Sequence, residues 1–205
     1  MKTPRIDAYT RRGFTLVELL VVITIIAVLV GISVPVYNTV MRNAKKQQAN
    51  VLCNAIKNAV KGYYSEYSKF PLPAEGTATE TTALRTDATI VPALLGTNTQ
   101  LNPRTIKFLP DLKQVEPGGA NGLIVDGEEV SVVDPWGEEL YIMMDVDGDT
   151  KIENPDSGSA STTLYQDVIV YSSGPDKDPM TWEDNINTWT TKAGSASQKQ
   201  QDTGK

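Results

Sequence analysis

From Leu19 to Val34 the chain carries only Thr24 and Ser33 as polar side chains, with Gly31 among the apolar residues. With Phe14 to Val17 ahead of it, this run reaches the length of a membrane-spanning helix. Beyond Tyr37 the continuous apolar pattern becomes periodic. Ala44, Gln48, Leu52, Ala55/Ile56, Ala59/Val60, Tyr63/Tyr64 and Tyr67 recur every three or four positions, with Arg42, Lys45, Lys46, Lys57 and Lys61 between them. That spacing predicts an amphipathic helix. A single helix from Phe14 to about Tyr67 would be about 80 Å long at 1.5 Å per residue. Pro71 and Pro73 in "SKFPLP" end it, since each disfavours helical backbone at the residue before it.

The stretch from Ala74 to Asn121 is rich in Thr, Gly, Pro and Asn, with apolar pieces at Ile90–Leu95 and Ile106–Leu112. It reads as irregular loop with one or two short helices. Leu123–Val125 and Glu129–Val133 flank "DG", a hairpin turn signal. Leu140–Met144 and Val168–Tyr171 complete the expectation of one small antiparallel sheet covering the apolar side of the helix. The tail "KAGSASQKQQDTGK" is polar and of low complexity.

Composition narrows the chemistry. The 205 residues contain no histidine and one cysteine, Cys53. The commonest general base and transition-metal ligand is therefore missing, and no intrachain disulfide can form. Cys53 falls on the periodic apolar positions and reads as a small buried residue. Carboxylates are abundant, but no spacing sets an acid, a base and an oxyanion site together, so no catalytic residue is nominated.

The first 13 residues carry Lys2, Arg5, Arg11 and Arg12 against Asp7, and the rest holds 15 basic and 24 acidic groups, net −9. The basic leader holds its end of the apolar run in the cytoplasm and sends everything after about Tyr37 outward. A body this acidic is not expected to bind nucleic acid. The basic stripe of the amphipathic helix reads first as a solvated face, with a lipid-headgroup or nucleic-acid stripe as the alternative.

Glu18 stands at the edge of the apolar run, where an ionised group costs several kcal/mol unless it is paired or interfacial. The bland reading is a Glu pointing at the headgroups. The residues around it, "RRGFTLVE" followed by the apolar run and Pro35, resemble the class III signal of type IV pilins and of type II secretion pseudopilins. The resemblance covers Arg11 to Tyr37 closely. It implies that a prepilin peptidase cuts between Gly13 and Phe14 and methylates Phe14. It also implies that Glu18 pairs with the α-amino group of Phe14, its own or a neighbour's, as an assembly device. Pro35 reads either as the exit of the helix from the membrane or as part of a segment that becomes extended on assembly.

"VDPWGEELY" from Val133 and "YSSGPDKDPMTWEDNINTW" from Tyr171 are more loosely similar to a turn and the acidic C-terminal loop of the major pseudopilin. The implied fold is α+β and pilin-like, a long N-terminal helix packed on a small antiparallel sheet with calcium-binding acidic loops. Its parts are a leader at 1–13, a membrane and filament-core segment at 14–37, an amphipathic segment at 38–67, a head at 68–190 and a polar tail at 191–205.

Sixteen Asp and Glu lie between Asp126 and Thr190 against Lys151 and Lys177. Oxygen-only clusters select hard cations, and Ca²⁺ tolerates irregular loops better than Mg²⁺. Carried over from the family, the C-terminal calcium ligands would be Asp176 and Asp184, with Thr181 and Asn185. A second candidate is "DVDGDTKIENPD", where Asp145, Asp147, Asp149 and Asp156 occupy positions 1, 3, 5 and 12 of an EF-hand-like loop. Thr150 stands where that loop wants Gly, so a polar turn without metal is the alternative. Trp136, Trp182 and Trp189 read as closing a small core, with sugar stacking as the alternative.

These readings combine into a non-enzymatic subunit of a type II secretion pseudopilus, which would drive protein export by polymerising through its N-terminal helix. It would sit in the inner membrane with a periplasmic head. Its expected partners are further copies, minor pseudopilins, the prepilin peptidase, membrane lipid, and an assembly platform with a cytoplasmic ATPase. The rivals are a type IV pilus pilin and a pilin-anchored, calcium-dependent binding module.

Overall fold

The structure, a computed structural model, describes residues 14–72, 82–127 and 129–190, with backbone alone at 32–35. The leader at 1–13, including Gly13, and the tail at 191–205 lie outside the described residues. Helix α1 runs over Leu16–Tyr67, and a short α2 over Val91–Leu95. The strands are β1 (Leu84–Arg85), β2 (Gln114–Val115), β3 (Gly122–Asp126), β4 (Glu129–Val133), β5 (Tyr141–Met144), β6 (Ile152–Glu153), β7 (Thr163–Leu164), β8 (Val168–Ser172) and β9 (Ile186–Asn187). The chain divides into two compact units, residues 1–43 and 44–205.

In the first unit every described side chain is exposed, including Leu20, Ile23, Ile26 and Leu29. By length and composition this stretch is long and apolar enough to cross a membrane. The helical backbone continues through Gly31–Pro35 in the single chain. Proline removes one amide donor, but its fixed φ is compatible with a helix, and one missing bond is small in an element of 52 residues.

In the second unit the buried stripe of α1 is Ala49, Leu52, Cys53, Ile56, Ala59, Val60 and Tyr63. Ala44 and Gln48, counted in the expected stripe, are exposed, so burial begins one turn later. The helix ends where Ser68 turns to φ 52° and its amide bonds to Tyr64 O at 2.8 Å.

The stripe packs on a four-stranded antiparallel sheet ordered β1-β5-β8-β9. Strand alternation sorts its two faces. Ile142, Met144, Val168 and Val170 meet α1, while Met143, Ile169 and Tyr171 face a second cluster closed by Trp182 and Trp189. Two of the three tryptophans thus close a small core.

The 123–133 hairpin forms, but Asp126 pairs with Glu129 inside the ladder, so the turn falls one residue later than the "DG" signal placed it, with Gly127 at φ 62°, a conformation that favours glycine. It does not join the main sheet. β3 and β4 make a separate three-stranded sheet with β2, which runs parallel to β3. Thr86 links the two sheets: its amide bonds to Leu140 O at 3.0 Å and its carbonyl accepts from Val132 N at 3.0 Å. Of the apolar pieces in the loop region, 91–95 is helical and 106–112 is irregular.

Candidate functional site

At the N-terminus, Thr15 and Glu18 form a reciprocal cap. The Thr15 amide and hydroxyl each donate to Glu18 Oε2 at 2.8 Å, and the Glu18 amide donates to Thr15 Oγ1 at 3.2 Å. This is the capping box that Thr-x-x-Glu before an apolar run encodes, satisfying amides that the first helical turn leaves open. Glu18 thus has a partner within its own turn, one the sequence spelled out in the Thr15 spacing. Phe14 precedes the cap and is exposed.

At the other end, β8 and β9 open into the loop 173–185. The register pairs Tyr171 with Asn187 and Ser172 with Ile186, so one further step places Ser173 opposite Asn185. Within the loop, Asp176 Oδ1 accepts from Asp178 N at 3.0 Å, Asp178 Oδ1 from Met180 N at 2.9 Å, and Pro179 O from Asn185 Nδ2 at 3.0 Å. Gly174, at φ 73°, lies so close to Asp184 that a Cβ there would sit 2.7 Å from its carbonyl oxygen.

Four buried polar atoms in this region have no hydrogen-bond partner: Ser173 Oγ, Asp184 Oδ1, Asn185 Oδ1 and Trp182 Nε1. Three are oxygens, and leaving each bare costs about 1–3 kcal/mol. Of the expected ligands, Asp184 and Asn185 thus carry bare buried oxygens. Thr181 is half-buried, and Asp176 is exposed at the loop surface. Ser173 was not anticipated, because its burial depends on the strand across from it.

The loop after β5 brings together three of its four expected residues. Carboxylate oxygens of Asp145, Asp147 and Asp149 lie within 4.8 Å of one another. Asp145 is buried and its carboxylate accepts from the amides of Gly148 (2.8 Å), Asp149 (3.2 Å) and Thr150 (2.7 Å). Lys151 Nζ bonds Asp149 Oδ2 at 2.7 Å. Asp156 is not in the group. It lies beyond β6 and accepts from Gly158 N at 2.9 Å, so no twelve-residue EF-hand loop closes. Thr150 takes φ 62°, the left-handed turn that the loop would assign to Gly.

Cys53 is fully buried with Sγ 3.9 Å from Ile186 O, and burial, with the Asp134 charge second, pushes its thiol pKa up. It is an inert core residue. Asp134, the first residue of the "DPWG" turn, was not singled out as a site. It is fully buried, with Oδ1 accepting from Trp136 N at 2.8 Å and Glu138 N at 3.0 Å.

Residues 9–34 match the family model described as the prokaryotic N-terminal methylation motif. The type IV major pilin protein PilE1 of Neisseria gonorrhoeae is 36% identical over 61 residues, 30% of this chain and 37% of the relative. The fimbrial protein EcpC of Eikenella corrodens is 38% identical over 61 residues, 30% of this chain and 40% of that protein. The type IV major pilin protein PilA of Myxococcus xanthus is 34% identical over 59 residues, 29% and 27%. The chain thus spans well under half the length of the curated relatives it matches. No solved structure matches it significantly. The chain carries the methylation motif and is type IV pilin-like.

Proposed function

We propose that this type IV pilin-like chain is a structural subunit that rests in a membrane through α1 and then polymerises into a filament. One observation carries the reading. The methylation motif at 9–34 runs straight into a helix whose most apolar stretch has no buried residue. That surface needs lipid or other copies of the helix to cover it, and exchange of one for the other is the work of a fibre subunit. Prepilin peptidase cleavage between Gly13 and Phe14 and methylation of Phe14 precede assembly. The subunit performs no reaction of its own. N-terminal sequencing and mass spectrometry of the membrane form test this: a chain starting at methylated Phe14 is expected, and any other mature start refutes it.

Within that class, we favour a type II secretion pseudopilus at the inner membrane, with the head outward. The single buried cysteine, the Asp134 turn and the acidic 173–185 loop favour it. The second reading is a surface type IV pilus, favoured by the names of the matched relatives. Deleting the chain separates them. Loss of exoprotein export without loss of surface fibres is expected for the first, and the reverse for the second.

We further propose that the 173–185 loop holds Ca²⁺. The bare buried oxygens of Asp184, Asn185 and Ser173 fit a hard cation, which accepts neutral and anionic oxygens from an irregular loop. Asp184 and Asn185 would be the inner ligands, with Thr181 and Asp176 nearer the surface. When bound, the ion supplies charge compensation that locks the loop onto the head. Thermal unfolding of the detergent-solubilised chain should shift upward with Ca²⁺, by about 2.7 kcal/mol at a hundredfold excess over Kd, and fall back with chelator. An unmoved transition refutes the site.

A further inference from the structure

We propose that a groove beside α1 in the second unit receives the tip of the C-terminal loop, Asp178–Thr181, of another copy of this chain. The inference rests on the filament-subunit reading. The groove, of about 550 Å³, lies between helix residues Asn50, Val51, Asn54 and Ala55 and the loop residues Phe108 and Pro110. Its lining combines apolar surface from Val51, Ala55, Phe108 and Pro110 with side-chain amides, of which Asn54 Nδ2 donates to Asn50 Oδ1 at 2.6 Å. Val51 is 69% exposed, an apolar side chain left open beside the groove.

Charge identifies the occupant. Lys46 sits one turn before Asn50 on the same helical ridge, with Lys45 beside it. Among the described residues neither has an ionic partner, whereas Lys61 bonds Asp167 at 3.0 Å and Lys57 bonds Gln166 at 2.6 Å. The loop tip is the complement. Met180 is 71% exposed and flanked by exposed Asp176, Asp178 and Glu183. The one base of that loop, Lys177, is drawn away to Glu138 at 3.2 Å. An unbranched Met fills irregular apolar gaps, and the acids beside it meet the lysines at the groove's end.

A single copy does not fill its own groove. Cys53 faces β9 at the base of the loop, and at 100° per residue Asn54 and Val51 point about 100–160° away around the helix. Two different patches on one chain make a head-to-tail contact, the kind that propagates into an open fibre rather than closing a dimer.

The test uses full-length chains co-expressed in their membrane, one Val51→Cys and the other Met180→Cys. Cys53 is buried and stays out of the reaction. In the sheared filament fraction a disulfide-linked dimer of the two variants is expected, about tenfold above either variant alone. Filaments that assemble without that dimer overturn the contact and leave the subunit reading intact. An unsubstituted chain that makes no filament overturns the subunit reading itself. A charge swap gives the second arm: Lys45→Glu with Lys46→Glu should lower filament yield several-fold, and adding Asp178→Lys with Glu183→Lys should restore it. If the swap restores nothing, and the lysine reversal instead abolishes binding to phosphatidylglycerol vesicles, the basic pair belongs to lipid and the contact is overturned.

Discussion

Asp134 and Ser172, 38 residues apart, are joined by a buried 2.5 Å hydrogen bond from the serine hydroxyl to Oδ2. The Ser172 hydroxyl oxygen in turn accepts from Gly174 N at 3.1 Å. One carboxylate therefore fastens the turn after β4 to the base of the C-terminal loop. Asp134→Ala leaves two backbone amides and a hydroxyl without their acceptor, at a cost of about 3–5 kcal/mol. Asp134→Asn retains an acceptor for the amides and should lose less than half of that. Urea unfolding of the detergent-solubilised chain, followed by tryptophan fluorescence, measures both. Equal losses would show that the net charge, rather than the acceptor set, holds the turn.

Thr86 is the corresponding link between the two larger sheets. Its hydroxyl donates to Val132 O at 2.6 Å and accepts from Leu140 N at 2.9 Å, in a position with no solvent exposure. Thr86→Val keeps the shape but leaves one carbonyl and one amide bare, so it should destabilise by about 2–4 kcal/mol. Thr86→Ser keeps the hydroxyl and loses only a methyl group, about 1 kcal/mol. The ratio of the two in the same unfolding measurement decides whether the hydroxyl or the packing matters.

These two residues mark where the sequence stopped being legible. Helix α1 is readable because a 3.6-residue period and a long apolar run are local signals, and the 122–133 hairpin because its turn glycine and alternation are also local. The attachment of that hairpin to the main sheet runs through Thr86, whose partners lie at Val132 and Leu140. Two-residue strands such as β1 and β9 carry no pattern of their own. The acidic loops show the same limit. Asp145, Asp147 and Asp149 converge because they share one turn, whereas Asp156 is carried off by the intervening β6. Asp184 and Asn185 could be nominated by resemblance. Ser173 needed the β8–β9 register, which no spacing along the chain reveals.

The Thr15–Glu18 cap separates two roles of one carboxylate. Gln also serves in a capping box, so Glu18→Gln keeps the start of α1 and removes only the charge. If charge pairing with a Phe14 α-amino group drives assembly, this variant should be cleaved after Gly13 normally yet enter sheared filaments several-fold less. Thr15→Ala instead weakens the helix start by about 1 kcal/mol and should reduce assembly less. Immunoblots of processed and filament fractions report both. Normal incorporation of the Gln variant would leave the carboxylate with its capping role alone.

Alkaline stability tests the second core. Burial, together with the nearby Tyr141, pushes the Tyr171 phenol up to about 12, against an ordinary value of 10.0. The ring stacks on Tyr141 at 4.8 Å and an interplanar angle of 8°, with Trp182 at 5.0 Å. Between those two values the unfolded chain releases a proton that the folded chain retains. Stability is therefore fully present below about pH 10 and is lost as pH rises towards about 12. Tyr171→Phe keeps the stacking and removes the ionisation. Its unfolding free energy should fall less steeply than that of the unsubstituted chain over this interval, while the two curves run parallel below it. Parallel curves throughout would mean that the Tyr171 phenol ionises as freely in the folded state as in the unfolded chain.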